Sequence, residues 1–109
     1  MVVSDRYHRQ RLVEGIGDGG QEDVSKAHIT VVGIGALGCL SASMLARAGV
    51  GTLTLIDRDI VETTNLQRQL LFTEEDSHLQ RPKATAAAIH LRKINSEIQI
   101  ESHVEDVTA

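Results

Sequence analysis

Residues 28–57 constrain this chain more than any other part of it. His28–Val32 (HITVV) is a β-branched, apolar segment that runs without a spacer into Gly33-Ile34-Gly35-Ala36-Leu37-Gly38. From there Leu37, Leu40, Ser41, Met44, Leu45 and Ala48 recur at spacings of three and four, which predicts a helix with an apolar face. Gly49 ends that pattern, as a glycine just past a helix commonly does. Thr52–Ile56 (TLTLI) then reads as a second strand and closes on Asp57. Strand, glycine turn, helix and strand in about 30 residues make a βαβ unit, with parallel strands and a right-handed crossover expected.

The glycine turn has a chemical reading beside its structural one. Its first glycine permits a tight turn, the second lets the backbone approach a phosphate, and the third lets helix and strand pack closely. Unpaired N–H groups and the partial positive charge of the helix start favour an anion there. Asp57 follows Gly38 by 19 residues, close to the ~20 expected of an acid that accepts from ribose hydroxyls. The simpler alternative, glycines that only turn a corner, leaves the placed acid without a purpose. NAD, FAD, SAM and ATP all satisfy this much of the pattern.

On either side the signals are weaker. Residues 5–14 are charged with few apolar anchors and read as a surface arm or short helix. Gly15, Gly17, Gly19 and Gly20 are expected to break it, with a short helix over 21–27 leading into the first strand, which itself reads as buried. Residues 58–81 keep no clean period and read as a long loop, usually a functional feature in a compact domain. Pro82 suits the first turn of a further helix. In that helix Ala84, Ala87, Ala88, Leu91 and Ile94 share a face, while Lys83, His90, Arg92 and Lys93 lie elsewhere. Ile98 and Ile100 alternate with polar neighbours and predict a third strand. The fold class is therefore α/β: half of a Rossmann-like doubly wound fold, βαβαβ with parallel strands over 28–109, preceded by an N-terminal helical arm over 1–27.

Composition removes several functions. The net charge is −4 with acids and bases interspersed, so no basic block invites nucleic acid. No stretch approaches the roughly 18 apolar residues of a membrane span, and the N-terminus lacks the apolar centre of a signal peptide. With a single cysteine, Cys39, there is no intrachain disulfide or cysteine zinc cluster. A cytoplasmic protein is the expectation. Cys39, just past the glycine turn, reads as a small packing residue rather than a nucleophile. The five histidines show no ligand spacing.

Five stretches in fixed order shift the balance among these nucleotides: RYHRQ at 6–10, GIGALG at 33–38, AGVGTLTLIDRD at 48–59, TNLQRQ at 64–69 and RPK at 81–83. In this the chain resembles the ThiF/MoeB/HesA superfamily, relatives of the ubiquitin-activating enzymes, over nearly its whole length. NLQRQ is the most specific element, because an ordinary dehydrogenase has no use for it. The resemblance implies an enzyme that binds ATP and Mg²⁺ and adenylylates the C-terminal glycine carboxylate of a ubiquitin-like sulfur-carrier protein. It implies Gly33, Gly35, Ala36 and Gly38 as the nucleotide loop and Asp57 as the ribose acid. Thr64, Asn65, Leu66, Gln67 and Arg68 would line the site, Asn65 and Arg68 would face ATP, and Lys83 would reach the phosphates. Arg9 would be donated across a homodimer interface to the partner's ATP, making Arg9, Arg68 and Lys83 the catalytic set. Asp59 either joins the site or only caps the loop.

Three readings stand beside that one. A tRNA-modifying cyclase/dehydratase of the same superfamily would use the same ATP site. An NAD(P)-dependent oxidoreductase explains the glycine loop and Asp57 but leaves RYHRQ and NLQRQ without a role. A non-catalytic scaffold subunit typically lacks the arginines and lysine that this chain has. Family members bring the Mg²⁺-binding acid, paired CxxC zinc motifs and carrier groove from a later half that these 109 residues do not contain. The chain is thus expected to be a fragment, because half a sheet leaves an unpaired edge and an uncovered face.

Overall fold

The computed structural model describes residues 5–107; residues 1–4 of the predicted arm and 108–109 of the predicted half domain lie outside the described residues. Strands β1 (His28–Val32), β2 (Thr52–Ile56) and β3 (Gln99–His103) form one parallel sheet in the order β1-β2-β3. Helix α3 (Ala36–Ala48) joins β1 to β2, and α5 (Lys83–Ile94) precedes β3. α3 packs on β1 and β2, α5 on β2 and β3, and the two helices on each other, so both cover the same sheet face. Register places Ile29, Leu53 and Ile100 in one row of that face. Leu53 and Leu55 are fully buried there beneath Cys39, Ala42 and Ala46 of α3 and Ala84, Ala87 and Leu91 of α5. Each buried leucine contributes roughly 1.5–3 kcal/mol relative to exposure. This is the βαβαβ half expected from the sequence.

Two apolar expectations change. The large residues of α3 face outward: Leu37 is 76%, Met44 62% and Leu40 46% exposed. Periodicity offers two overlapping stripes on this helix, and the sheet takes the one made of small side chains because it lets the backbones approach more closely. Strand β1 is half exposed rather than buried, with His28, Thr30 and Val32 on the outer face. It lies at the sheet edge, and α3 and α5 cover only the opposite face.

The glycine-rich segment also departs from expectation. Helix α2 runs over Gly17–Lys26, so Gly17, Gly19 and Gly20 lie inside it and the break falls at Gly15, whose φ is +94°. Gly20 packs on Ile16, where a Cβ would come within 3.3 Å of Cγ2. Tertiary anchoring outweighs the low helix propensity of glycine here. The buried Gln21 hydrogen-bonds Gln10, and both amides donate to Ala48 O. Residues 58–81, expected as loop, contain a 3-10 turn at Thr63–Asn65 and helix α4 at Glu74–His78. Both are too short to show a period, but each begins with a capping box, Glu62 with Asn65 and Thr73 with Asp76.

The arm docks through a 3-10 turn (Asp5–Tyr7) and helix α1 (His8–Arg11). Tyr7 lies against Gly49, where φ is +90° and a Cβ would sit 2.5 Å from the ring. The Tyr7 hydroxyl accepts from Asn95 Nδ2 at 2.8 Å, and the fully buried Asn95 also donates to Ala46 O at 2.8 Å. Arg6 donates to Ile94 O and pairs with Glu97. The arm thus satisfies carbonyls at the C-terminal ends of α3 and α5 that the helices cannot satisfy themselves.

Candidate functional site

The glycine turn lies at the other end of α3. Gly33 has φ +85°, a conformation that favours glycine. Gly38 is required by packing, since a Cβ there would fall 2.0 Å from Gly33 O. Gly35 differs from both. It is the N-cap of α3 with φ −96°, and a Cβ would meet nothing closer than Gln69 Nε2 at 4.0 Å. Neither backbone nor packing demands glycine at that position, so the open space in front of it is the feature to explain.

Asp57 holds the turn in shape. One carboxylate oxygen accepts from Ile34 N and the other from Asp59 N, both at 2.7 Å. Each oxygen keeps a second lone pair available for a ribose hydroxyl. A cleft of about 200 Å³ beside it is lined by Gly33, Asp57, Arg58, Asp59 and residues 105–107.

A second, polar recess of about 320 Å³ is formed by Asp59, Ile60, Glu62, Asn65 and Lys83, so Asp59 borders both spaces. Lys83 opens α5 and is 8% exposed. It is held there by Lys83 N donating to Asp59 O and Val61 N donating to Arg81 O, each at 2.8 Å. Among the described residues its ammonium makes no ion pair. A cation at a helix N-terminus stands against the helix dipole. An anion entering the recess would relieve this. The placement was not legible from helical periodicity, which set Lys83 off the apolar face.

The remaining sequence candidates are distributed unevenly. Asn65 is 9% exposed, and its Oδ1 accepts from Glu62 N at 2.9 Å while the residue borders the Lys83 recess. Leu66 is half-buried against the core, whereas Thr64, Gln67 and Arg68 are exposed. Arg68 folds back to donate to Thr64 O at 3.1 Å and does not border the recess. Ala36 begins α3 and is exposed at the turn. Arg9 is exposed on the arm, beside the C-terminal end of α3. The 13 residues of that helix put about 20 Å between it and the glycine turn.

Two groups escaped the sequence reading. Gln69 is 4% exposed beside Gly35, and its Oε1 has no hydrogen-bond partner. Asp76 is fully buried, accepting from Arg81 Nη1 and His90 Nε2 at 2.7 Å each and from Thr73 N at 2.8 Å. Burial alone would push its carboxyl up. The bonds from Arg81, His90 and Thr73 outweigh burial and hold it below the usual carboxylate range. This cluster pins the turn that carries Lys83. The Thr73-x-x-Asp76 capping box was the signal available for it. Cys39 is fully buried and burial pushes its thiol up, which fits a packing residue. No three His, Cys, Asp or Glu side chains among the described residues group to hold a metal, and no described helix is long and apolar enough to cross a membrane.

A parallel βαβαβ half with an anion-ready helix start and a strand-end acid defines a mononucleotide-binding unit. Residues 7–109 match the model of the ThiF family, and the chain belongs to that family. It is 50% identical over 107 residues to the sulfur carrier protein ThiS adenylyltransferase of Bacillus subtilis, covering 98% of this chain and 32% of that protein. To the molybdopterin-synthase adenylyltransferase of Haemophilus influenzae it is 44% identical over 97 residues, covering 89% of this chain and 39% of that one. Among solved structures, E. coli tRNA N6-threonylcarbamoyladenosine dehydratase TcdA, in complex with ATP, aligns with a TM-score of 0.86 at 36% identity. That alignment covers 99% of this chain and 44% of the other. The chain therefore spans between about a third and somewhat under half of the length of these relatives.

Proposed function

We propose that this chain is the ATP-binding portion of an adenylyltransferase that activates the C-terminal glycine carboxylate of a ubiquitin-like sulfur-carrier protein. The observation that carries the reading is Lys83, buried without an ion pair in a recess shared with Asn65 and Asp59. The most similar relative described above acts, by its name, on the sulfur carrier ThiS. An NAD(P)-dependent oxidoreductase gives that lysine no role.

In this reading the triphosphate lies across the start of α3, with phosphate oxygens on the N–H groups at Gly35 and Ala36 and the ribose on Asp57. A carboxylate oxygen attacks the α-phosphorus, the bond to the β-phosphate breaks, and pyrophosphate leaves with its electron pair. Two anions must approach during attack, at a cost of about 4 kcal/mol for unit charges 4 Å apart at an effective dielectric near 20. Lys83 offsets that repulsion from a fixed position, and Arg68 swings from Thr64 O to the phosphates. Mg²⁺, carried on the phosphates, would supply further charge neutralisation. Asp59 borders the space such an ion would enter.

Arg9 acts in trans. It is about 20 Å from the glycine turn of its own chain, and its neighbours Arg6, Tyr7 and Gln10 are all used to dock the arm. Arg9 is left exposed for a partner's site in a homodimer. The second reading, a carboxylate-activating dehydratase acting on tRNA, rests on the likeness to TcdA. Exchange of labelled pyrophosphate into ATP tests the assignment. It should require the carrier's C-terminal carboxylate and vanish in Lys83→Ala. Exchange unchanged in that variant would remove Lys83 from the mechanism.

A further inference from the structure

We infer that Gln69 is a further phosphate-binding residue, its side-chain amide donating to the nucleotide phosphate that rests on Gly35. The inference depends on the ATP reading above and adds a contact to it. Gln69 follows the 3-10 turn at Thr63–Asn65, with Gln69 N donating to Asn65 O at 2.9 Å and Phe72 N donating to Gln69 O. This backbone bonding sends the side chain inward, where the residue is only 4% exposed.

The two ends of the amide are in different situations. Oε1 is enclosed with no hydrogen-bond partner, the only such side-chain atom among the described residues. Leaving an acceptor buried and unpaired is unfavourable, and an apolar side chain of similar shape would avoid it. Nε2 is the atom nearest the space in front of Gly35, 4.0 Å from where a Cβ would stand. A phosphate oxygen resting on the N–H groups of α3 occupies that space. The amide nitrogen borders the same space and can donate to that oxygen.

This explains two features together. Gly35 is not required by its φ or by any clash within the chain, and Gln69 keeps a polar amide in a buried place, its Nε2 toward Gly35, although its Oε1 stays unpaired and a phosphate does not satisfy it. A ligand phosphate between them needs both: no methyl group at Gly35 and a donor at Gln69. Because the donor is neutral, its part is to fix the orientation of the phosphate, while Lys83 and Arg68 supply charge.

Gln69→Leu and Gln69→Glu test this. Binding of the non-cleavable adenosine 5′-(α,β-methylene)triphosphate with Mg²⁺ is measured by titration calorimetry, and the melting temperature of each unliganded variant is recorded. Gln69→Leu should melt no lower than the wild type yet bind roughly 10- to 100-fold more weakly, as expected for one lost hydrogen bond to a charged group. Gln69→Glu, which sets a carboxylate oxygen against phosphate, should bind at least as weakly. Wild-type affinity in both variants would overturn the inference and leave the ATP reading intact. Affinity that falls only with the stability of the unliganded variant would make Gln69 a packing residue and overturn it equally. Failure of the wild type to bind the analogue would defeat the ATP reading and this inference together.

Discussion

Replacing Gly35 with alanine separates the fold's need for glycine from the ligand's. The new methyl group would meet only Gln69 Nε2, at 4.0 Å, and the backbone at φ −96° is open to alanine. Alanine restricts the unfolded chain and adds about 0.4–1 kcal/mol of stability. Against this, alanine is a poorer N-cap than glycine by a comparable amount. The two nearly cancel, so a residual of about 0.5 kcal/mol shifts the unliganded melting temperature by no more than roughly 4 °C. The same methyl group occupies the space assigned to a phosphate. Displacing the phosphate forfeits two hydrogen bonds to an anion at about 1.5 kcal/mol each, or ~3 kcal/mol, which is a ~100-fold loss of affinity. Calorimetric titration with ATP·Mg²⁺ beside thermal melts of the free protein reads both quantities. Undiminished ATP affinity in Gly35→Ala would refute the placement of phosphate at the glycine turn.

Gly38→Ala should behave in the opposite way: a Cβ 2.0 Å from Gly33 O forces backbone apart, and denaturant unfolding should register a loss of about 3 kcal/mol with or without nucleotide. Lys83→Met should leave the free protein about as stable as the wild type, since methionine keeps most of the buried apolar stem and the ammonium makes no ion pair among the described residues, while ATP binding is lost; a large drop in melting temperature would show that the ammonium has a structural partner. Asp76→Asn should destabilise by about 3 kcal/mol near neutral pH, because Arg81 and His90 lose the carboxylate between them. The Asp76 carboxyl is held below the usual range, so its contribution is full above the unfolded value of about 3.9 and is lost as pH falls from there through the lower folded value; urea unfolding of wild type and variant should differ fully at neutral pH and begin to converge only below about pH 4. Arg9→Ala should melt like the wild type but lose exchange activity. Activity should return on mixing with Lys83→Ala subunits, because one site in a mixed dimer then has both residues.

Much of this architecture was legible because its causes are local. A β-branched run before a glycine turn, an acid at the next strand end and alanines at helical spacing in α5 each specify their own element. The failures have a common origin in tertiary context. Nothing in residues 36–48 says which of two apolar stripes the sheet will accept, and the small one, Cys39 with Ala42 and Ala46, was chosen by backbone approach. The glycines of α2 read as breakers by propensity, but Gln21, tied to Gln10 and Ala48 O, anchors the helix through contacts distant in sequence. At the site, Asp57 and Lys83 could be picked out by position, but the burial of Lys83 could not. That burial comes from the Asp59–Val61 segment pairing with Arg81–Lys83, a contact between regions without periodicity. Gln69 closes the TNLQRQ stretch, yet only its burial and its orphaned oxygen mark it.

Adenylylation and phosphorylation of a carboxylate differ in which phosphate bond of ATP breaks. With ATP labelled at the α-phosphate, a ubiquitin-like sulfur carrier ending in glycine and the protein carrying this chain, products are resolved by chromatography and the carrier by intact mass. AMP should be found joined to the carrier's terminal carboxylate, with pyrophosphate released in equal amount. Release of ADP and inorganic phosphate, with no adenylate on any carboxylate, would contradict adenylylation.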